Sequence, residues 1–124
     1  MRRSHVDITT NVDGDGVGYV SKVGGEDNGH LLAIRYVKND YDDGVGIVVT
    51  GETSGIEILT IANMNATVTE FPRGSASKQA DGTDAEYASG YPVKVLIPIA
   101  NERVKIVVSS GGDTKSGLFH VWIG

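Results

Sequence analysis

The sequence predicts an all-β protein: an antiparallel β-sandwich or jelly roll of about nine short strands with one long loop. Val, Ile and Thr dominate the apolar runs, and these side chains suit a pleated sheet but lose rotamer freedom in a helix. Glycine occurs 17 times and is spread along the chain, which is unfavourable for helices. Clusters of Gly, Asn and Asp separate the apolar runs, as expected for tight reversals between strands.

The strand assignments follow from the alternation of apolar and polar side chains. In run 30–38, strict alternation places Leu32, Ile34 and Tyr36 on one face. Several runs are apolar on both faces, as expected for strands covered on both sides, and this favours a sandwich. The predicted strands span residues 6–10, 17–23, 30–38, 45–49, 56–61, 66–71, 92–99, 103–108 and 118–123.

The length of the chain predicts one domain spanning residues 1–124. A domain of this size buries roughly two-thirds of the surface that its unfolded chain exposes, so it needs no covalent cross-link to fold. The sequence contains no cysteine, which excludes disulfides, zinc–thiolate sites and thiol nucleophiles.

Charge and hydropathy exclude two kinds of partner. The net charge is −5, with 16 acidic and 11 basic residues, and Arg2-Arg3 is the only cluster among otherwise scattered bases, so we expect no nucleic-acid partner. No segment approaches the roughly 20 apolar residues of a membrane span, so we expect no membrane partner. The N-terminus has no apolar region typical of a signal peptide, which predicts a protein that is made and kept in a cytoplasm.

Segment 72–91 breaks the strand pattern. It is rich in Ala, Ser, Gly and Asp, and loops longer than roughly 12–15 residues inside a domain are usually functional or disordered. Tyr87 and Tyr91 are its main apolar anchors. We therefore interpret it as an extended arm that a partner holds in place. The alternative is a plain surface loop with a helical turn near residues 83–88.

Two acidic turns are candidate cation sites. Segment 11–16 matches the first half of a calcium loop, but Lys22 stands where the bidentate glutamate is needed, which favours a hairpin turn. Asp40, Asp42 and Asp43 lie in a second turn, where exposed acidic side chains are more often simply solvated. The sequence therefore predicts no metal site.

Catalytic patterns are also weak. His5, His30 and His120 are the only imidazoles, and no two of them are closely spaced in the way that seeds a zinc site. No serine lies in a G-x-S-x-G elbow, and segment 109–116 lacks both glycines of a phosphate-binding loop. We therefore predict a protein that is not an enzyme and has no catalytic residues and no cofactor.

Trp122 is the single tryptophan and lies in the last predicted strand. Docking on the core or on a neighbouring subunit is the more common role for such a residue, and a platform for sugar stacking is the alternative. The residues that we predict at an interface with other proteins are Arg2, Arg3, Pro72, Arg73, Tyr87, Tyr91 and Trp122.

Several blocks of the sequence together resemble small structural proteins of tailed-bacteriophage virions. The resemblance covers most of the chain and consists of strand and turn patterns. The blocks are 30–41 (HLLAIRYVKNDY), 44–55 (GVGIVVTGETSG), 71–73 (FPR), 101–112 (NERVKIVVSSGG) and 115–124 (KSGLFHVWIG).

The resemblance implies a protein that is assembled into a virion in the bacterial cytoplasm. A capsid decoration or cement protein is the first expectation, with the major capsid protein or other virion proteins as partners and a homo-oligomer as the assembled form. A neck or head–tail joining protein is the second. A carbohydrate- or surface-binding module, assisted by a cation at the acidic turns, is the alternative from a different class. Unpaired strand edges near both termini are expected to pair with another chain.

Overall fold

The computed structural model describes residues 2–21, 27–74, 79–83, 85–89, 91–92 and 94–124. These residues form strands and connecting turns, with no helix among them. The strands are β1 (Arg2–Thr9), β2 (Gly16–Val20), β3 (Asp27–Val37), β4 (Val45–Gly51), β5 (Glu57–Met64), β6 (Val68–Glu70), β7 (Glu86–Ala88), β8 (Tyr91–Pro92), β9 (Ile97–Glu102), β10 (Val104–Ser109) and β11 (Ser116–Ile123).

Two antiparallel sheets account for most of the strands. A five-stranded sheet has the order β1-β11-β3-β6, with β9 also paired to β3, and a four-stranded sheet has the order β2-β10-β4-β5. The inner faces of both sheets contribute to one hydrophobic core. This confirms the predicted all-β, antiparallel sandwich, in which two sheets bury their apolar faces against each other.

The predicted strands are recovered with shifts at their ends. β10 and β11 match the predicted runs most closely, because strict alternation buries every second side chain in both. The predicted strand 92–99 is wrong in its bounds, since β9 begins at Ile97 and Val95 is 39% exposed. Residue 93 and the end of predicted strand 17–23 lie outside the described residues.

A bulge in β3 breaks the alternation that the sequence predicted there. Trp122 pairs with Ala33, but Ile123 pairs with Leu31, so Leu32 is the extra residue. Leu31 is therefore buried in the core, and Leu32 lies partly exposed beside Ala33. Leu31 and Ile34 both lie on the inner face although they are three positions apart, because the bulge adds one residue to β3 between them.

A group of aromatic rings fills one end of the core. Tyr36 packs against Phe119 with ring centroids 5.3 Å apart and stacks on Tyr41 at 6.1 Å. The Tyr41 hydroxyl donates a hydrogen bond to the carbonyl of Ile8. Burial raises the pKa of Tyr36 to about 12 and raises that of Tyr41 further, so both phenols are neutral at physiological pH.

The predicted arm at 72–91 contains local structure. β7 pairs with β8 in a two-stranded sheet, so residues 86–88 form a strand where a helical turn was the alternative. Before it, the Asp81 carboxylate accepts hydrogen bonds from the amide and hydroxyl of Thr83, at 3.0 and 2.7 Å. Residues 75–78, 84 and 90 lie outside the described part of the chain.

Candidate functional site

The outer face of the five-stranded sheet presents several aromatic and cationic side chains. Its first row is fixed by strand register, because Arg3 on β1 pairs with Trp122 on β11, and Trp122 pairs with Ala33 on β3. Side chains opposite each other on neighbouring strands lie close together on one face. Arg3 and Trp122 are therefore neighbours although they are far apart in the sequence.

A second row runs parallel to the first. His5 pairs with His120, His120 with Arg35, and Arg35 with Thr69 on β6. The two imidazole centroids lie 5.9 Å apart, and Nη1 of Arg35 donates a hydrogen bond of 2.8 Å to the Thr69 hydroxyl. The His120 ring also lies 5.9 Å from the ring of Trp122, which joins the two rows.

A shallow groove of about 380 Å³ opens beside Trp122. Phe71 follows β6 at its rim and is 65% exposed, an unusual position for a phenylalanine. Nη1 of Arg73 donates hydrogen bonds to the carbonyls of Pro72 at 2.8 Å and Leu32 at 3.3 Å, which hold the guanidinium over the groove. The lining residues are Leu32, Ala33, Thr69, Phe71, Arg73 and Trp122.

We call this surface the cationic–aromatic face and define it as Arg3, His5, Arg35, Phe71, Arg73, His120 and Trp122. It places three arginines on one side of a chain whose net charge is −5. Arginine forms paired hydrogen bonds with carboxylates, and exposed Trp and Phe provide apolar contact area. The chemistry of the face therefore suits an acidic, partly apolar surface.

His120 is partly buried on this face. Its Nδ1 is buried and has no hydrogen-bond partner among the described residues. Burial lowers the pKa of His120, and the positive charges of Arg3, His5 and Arg35 lower it further, whereas Asp7 opposes the shift. The imidazole is therefore neutral at physiological pH and is costly to protonate in the folded protein.

This pKa shift predicts that the free energy of unfolding falls as the pH is lowered. Below about pH 6.5 the unfolded chain protonates His120 first, so between the unfolded and folded pKa values stability increases with pH. A His120→Gln variant should lose this dependence. Urea unfolding of both proteins from roughly pH 7.5 down to pH 5 measures the difference in slope.

The matched control for this experiment is His30→Gln, because the His30 side chain is exposed. This variant should keep the pH dependence of the wild-type protein. Equal slopes for His120→Gln and the wild type would contradict the assignment.

The structure brings together some of the residues predicted at an interface. Arg3, Arg73 and Trp122 meet on the cationic–aromatic face. Arg2 instead alternates to the opposite side of β1, where its guanidinium bonds to Ser4. Pro72 is buried, so it contributes to packing and to the position of Arg73. Trp122 lies on the outer face of the sheet, not in the core.

The two predicted tyrosines cannot be placed on the face. Tyr87 lies in β7 and Tyr91 in β8. Both side chains lie outside the described part of the chain.

Four residues of the face were missed by sequence reasoning: His5, Arg35, Phe71 and His120. His5, Arg35 and His120 lie at strand positions where a polar residue is ordinary, and Phe71 resembles a core residue in the sequence, so no local signal marks any of them. Their meeting depends on the order β1-β11-β3-β6, which joins the two ends of the chain and its middle. Three arginines that are far apart in the sequence thus lie on one face of the fold.

The acidic turns have structural roles. The Asn11 carboxamide oxygen accepts hydrogen bonds from the amides of Asp13 and Asp15, which closes the first turn. The Asp40 carboxylate accepts bonds from the amide and hydroxyl of Ser116, and these hydrogen bonds lower its pKa. Within the described ranges, no three acidic or imidazole groups lie close enough to hold a metal ion.

The surroundings of His120 in the described part of the chain differ from those of a catalytic histidine. A catalytic histidine is oriented by an acceptor at one ring nitrogen, and Nδ1 of His120 has none there. His30 is exposed. What the His5–His120 pair offers is a contact surface of two imidazole rings, tilted by 51° to each other, on the outer face of the sheet.

Comparison with models of protein families, with curated proteins and with solved structures found no match to this chain. In the part of the chain that the structure describes, no helix has the length and hydropathy needed to cross a membrane. Function is therefore inferred from the residues of the cationic–aromatic face and from the fold that presents them.

Proposed function

We propose that this chain is a non-catalytic structural protein of a tailed-bacteriophage virion, which binds the capsid shell as a decoration or cement protein. The cationic–aromatic face is the observation that carries the proposal. It is a broad, exposed surface on a sheet rather than a deep pocket, which is the usual form of a protein-binding site. The resemblance of the strand and turn blocks to small virion proteins supports the same role.

The composition of the face favours a protein partner. Trp and Arg are enriched among the residues that contribute most to protein interfaces, and Trp122 and Arg73 lie together at the groove. Guanidinium groups that a partner covers favour carboxylates or carbonyls on the partner surface, because desolvating a charge without enough acceptors is costly. The proposed partner surface is thus an acidic, partly apolar region of the major capsid protein.

The position of Trp122 also favours a second candidate, a carbohydrate-binding module. A tryptophan beside a groove can stack on a sugar ring, and Thr69 and Arg73 supply polar groups along the same groove. This candidate needs only the groove, whereas the capsid proposal uses the whole face. Replacing Arg35 therefore separates the two candidate functions, because Arg35 belongs to the face but does not line the groove.

The test is co-sedimentation of the purified protein with shells assembled from the major capsid protein of the same genome. We expect saturable binding that Trp122→Ala and Arg35→Ala each weaken at least about tenfold, because both remove groups buried at the interface. Binding should also weaken with added salt, since arginine contacts are screened. The control is Val48→Ala, at an exposed position on the outer face of the four-stranded sheet.

Two results would contradict the capsid proposal. One is the absence of binding to the shells at micromolar protein. The other is a change in Trp122 fluorescence on adding neutral oligosaccharides, retained in Arg35→Ala, which would identify a carbohydrate-binding module instead.

A further inference from the structure

β1 forms an open edge of the five-stranded sheet. Among the described strands it pairs only with β11, and that pairing runs without a bulge from Arg2 to Thr9. β2 approaches from the other sheet, where Gly16 and Gly18 lie against the side chains of Ile8 and Val6. The free side of β1 therefore offers a row of backbone amides and carbonyls.

The other described edges are less suited to pairing. β2 has five residues and β6 has three. The pairing of β4 with β5 has register shifts at two places, and that of β3 with β9 has one. Bulges and short strands discourage edge-to-edge association. β1 is thus the longest regular edge in the described part of the fold.

The hydrogen bonding to β11 shows which groups of β1 point outward. The Thr10 amide donates to the Lys115 carbonyl at 2.8 Å, on the same register as the β1–β11 pairs. In an antiparallel ladder hydrogen-bonded pairs alternate with non-bonded pairs, so the even-numbered residues of β1 bond to β11. Arg3, His5 and Asp7 consequently direct their amides and carbonyls to the open edge.

We infer that β1 pairs with β1 of a second copy of this chain, antiparallel and about a two-fold axis at His5. This register uses only the outward-directed residues. It places Arg3 of each copy opposite Asp7 of the other copy. Opposite charges across a strand pair are favourable, and two-fold symmetry makes each contact twice. Edge charges usually prevent pairing, but this arrangement makes the edge complementary to itself.

The paired form has a consequence for the cationic–aromatic face. Joining the two edges would continue the five-stranded sheet across the axis, so the two faces would lie side by side on one surface. Two linked sites bind a repeated partner more strongly than one. The pairing itself is independent of the proposed function, because it is measured without capsids.

Charge reversal at the two positions tests the inference. We expect the wild-type protein to be a dimer that dissociates on dilution, as measured by sedimentation velocity from about 1 to 500 µM. Arg3→Asp and Asp7→Arg should each raise the dissociation constant at least about tenfold, since each opposes like charges twice. The double variant R3D/D7R should restore dimerisation to within about threefold of the wild type.

A second pair of variants tests the backbone contact. His5→Pro removes an outward amide that the β11 ladder does not use, whereas His5→Ala keeps it. We expect His5→Pro to be monomeric and His5→Ala to remain a dimer. Should His5→Pro fail to fold, as judged by circular dichroism, the charge reversals decide the question. A wild-type monomer at 500 µM, or a dimer insensitive to both single reversals, would overturn the inference.

Discussion

A Gly117→Ala variant is expected to lose about 3 kcal/mol of unfolding free energy, because a methyl group at this position has no space. A Cβ on Gly117 would lie 2.7 Å from Cδ2 and 2.9 Å from Cζ of Tyr41, and closer still to Cε2. Real carbon atoms do not approach so closely, so either β11 or the Tyr41 ring must move. The measurement is the free energy of unfolding in urea.

The ring of Tyr41 cannot move without further loss. Its hydroxyl bonds to the carbonyl of Ile8, and its face stacks on Tyr36. The residues on either side of Tyr41 are also held in place. The Asp40 carboxylate accepts a hydrogen bond from the Ser116 amide at the start of β11, and the Asp42 amide donates one of 3.0 Å to the Gly111 carbonyl in the turn before β11. The clash therefore disturbs a hydrogen bond, an aromatic contact and a loop together.

Gly46→Ala is the matched control for this variant. Gly46 is also a strand glycine, but its Cβ would meet the Ser109 hydroxyl at 3.2 Å, and this side chain is exposed and can rotate. We expect a change within about 1 kcal/mol. Equal losses in the two variants would show that glycine itself, and not the space beside Tyr41, sets stability.

The sequence predicted the parts of the fold that depend on local pattern. β10 and β11 were located because their apolar residues recur at every second position, which is the period that a strand with one buried face requires. These residues are Val104, Ile106 and Val108 in β10, and Phe119 and Val121 in β11. The core positions of these strands follow directly from this period. The class of the fold follows too, since several such strands without helices must bury their faces in stacked sheets.

The site was less predictable, because it depends on which strands are neighbours. Arg35 meets His120 only through the pairing of β3 with β11, a contact between residues 85 positions apart in the printed sequence. The bulge at Leu32 is equally hidden, since an extra residue in a strand leaves no mark on composition. Phe71 resembles a core residue in the sequence, and only the end of β6 leaves it exposed.

The buried carboxylate of Glu102 also escaped the sequence, and its replacement is the second large effect that we expect. Glu102 is 2% exposed at the end of β9, and its Oε1 accepts hydrogen bonds of 2.9 Å from the amides of Thr53 and Ser54. These amides belong to the turn between β4 and β5 in the other sheet. One side chain thus ties the end of one sheet to a turn of the other.

Glu102→Ala should lower the free energy of unfolding by about 2–4 kcal/mol, because the Thr53 and Ser54 amides lose their acceptor and a cavity replaces the buried side chain. Glu102→Gln fills the same space and keeps one acceptor oxygen for the two amides, so we expect a smaller loss. Chemical denaturation measures both, and hydrogen exchange at the Thr53 and Ser54 amides should accelerate in the alanine variant.

The neighbouring Glu52 provides the control. Its carboxylate accepts two hydrogen bonds from the Arg103 guanidinium, and these hydrogen bonds lower the pKa of Glu52. The same guanidinium lies 4.2 Å from the Tyr19 ring centroid. The Glu52–Arg103 pair lies at the surface, where screening by water makes ion pairs weak. Glu52→Gln should therefore unfold close to the wild-type midpoint. If it were as destabilising as Glu102→Ala, the tie between the sheets would depend on the surface pair rather than on the buried carboxylate.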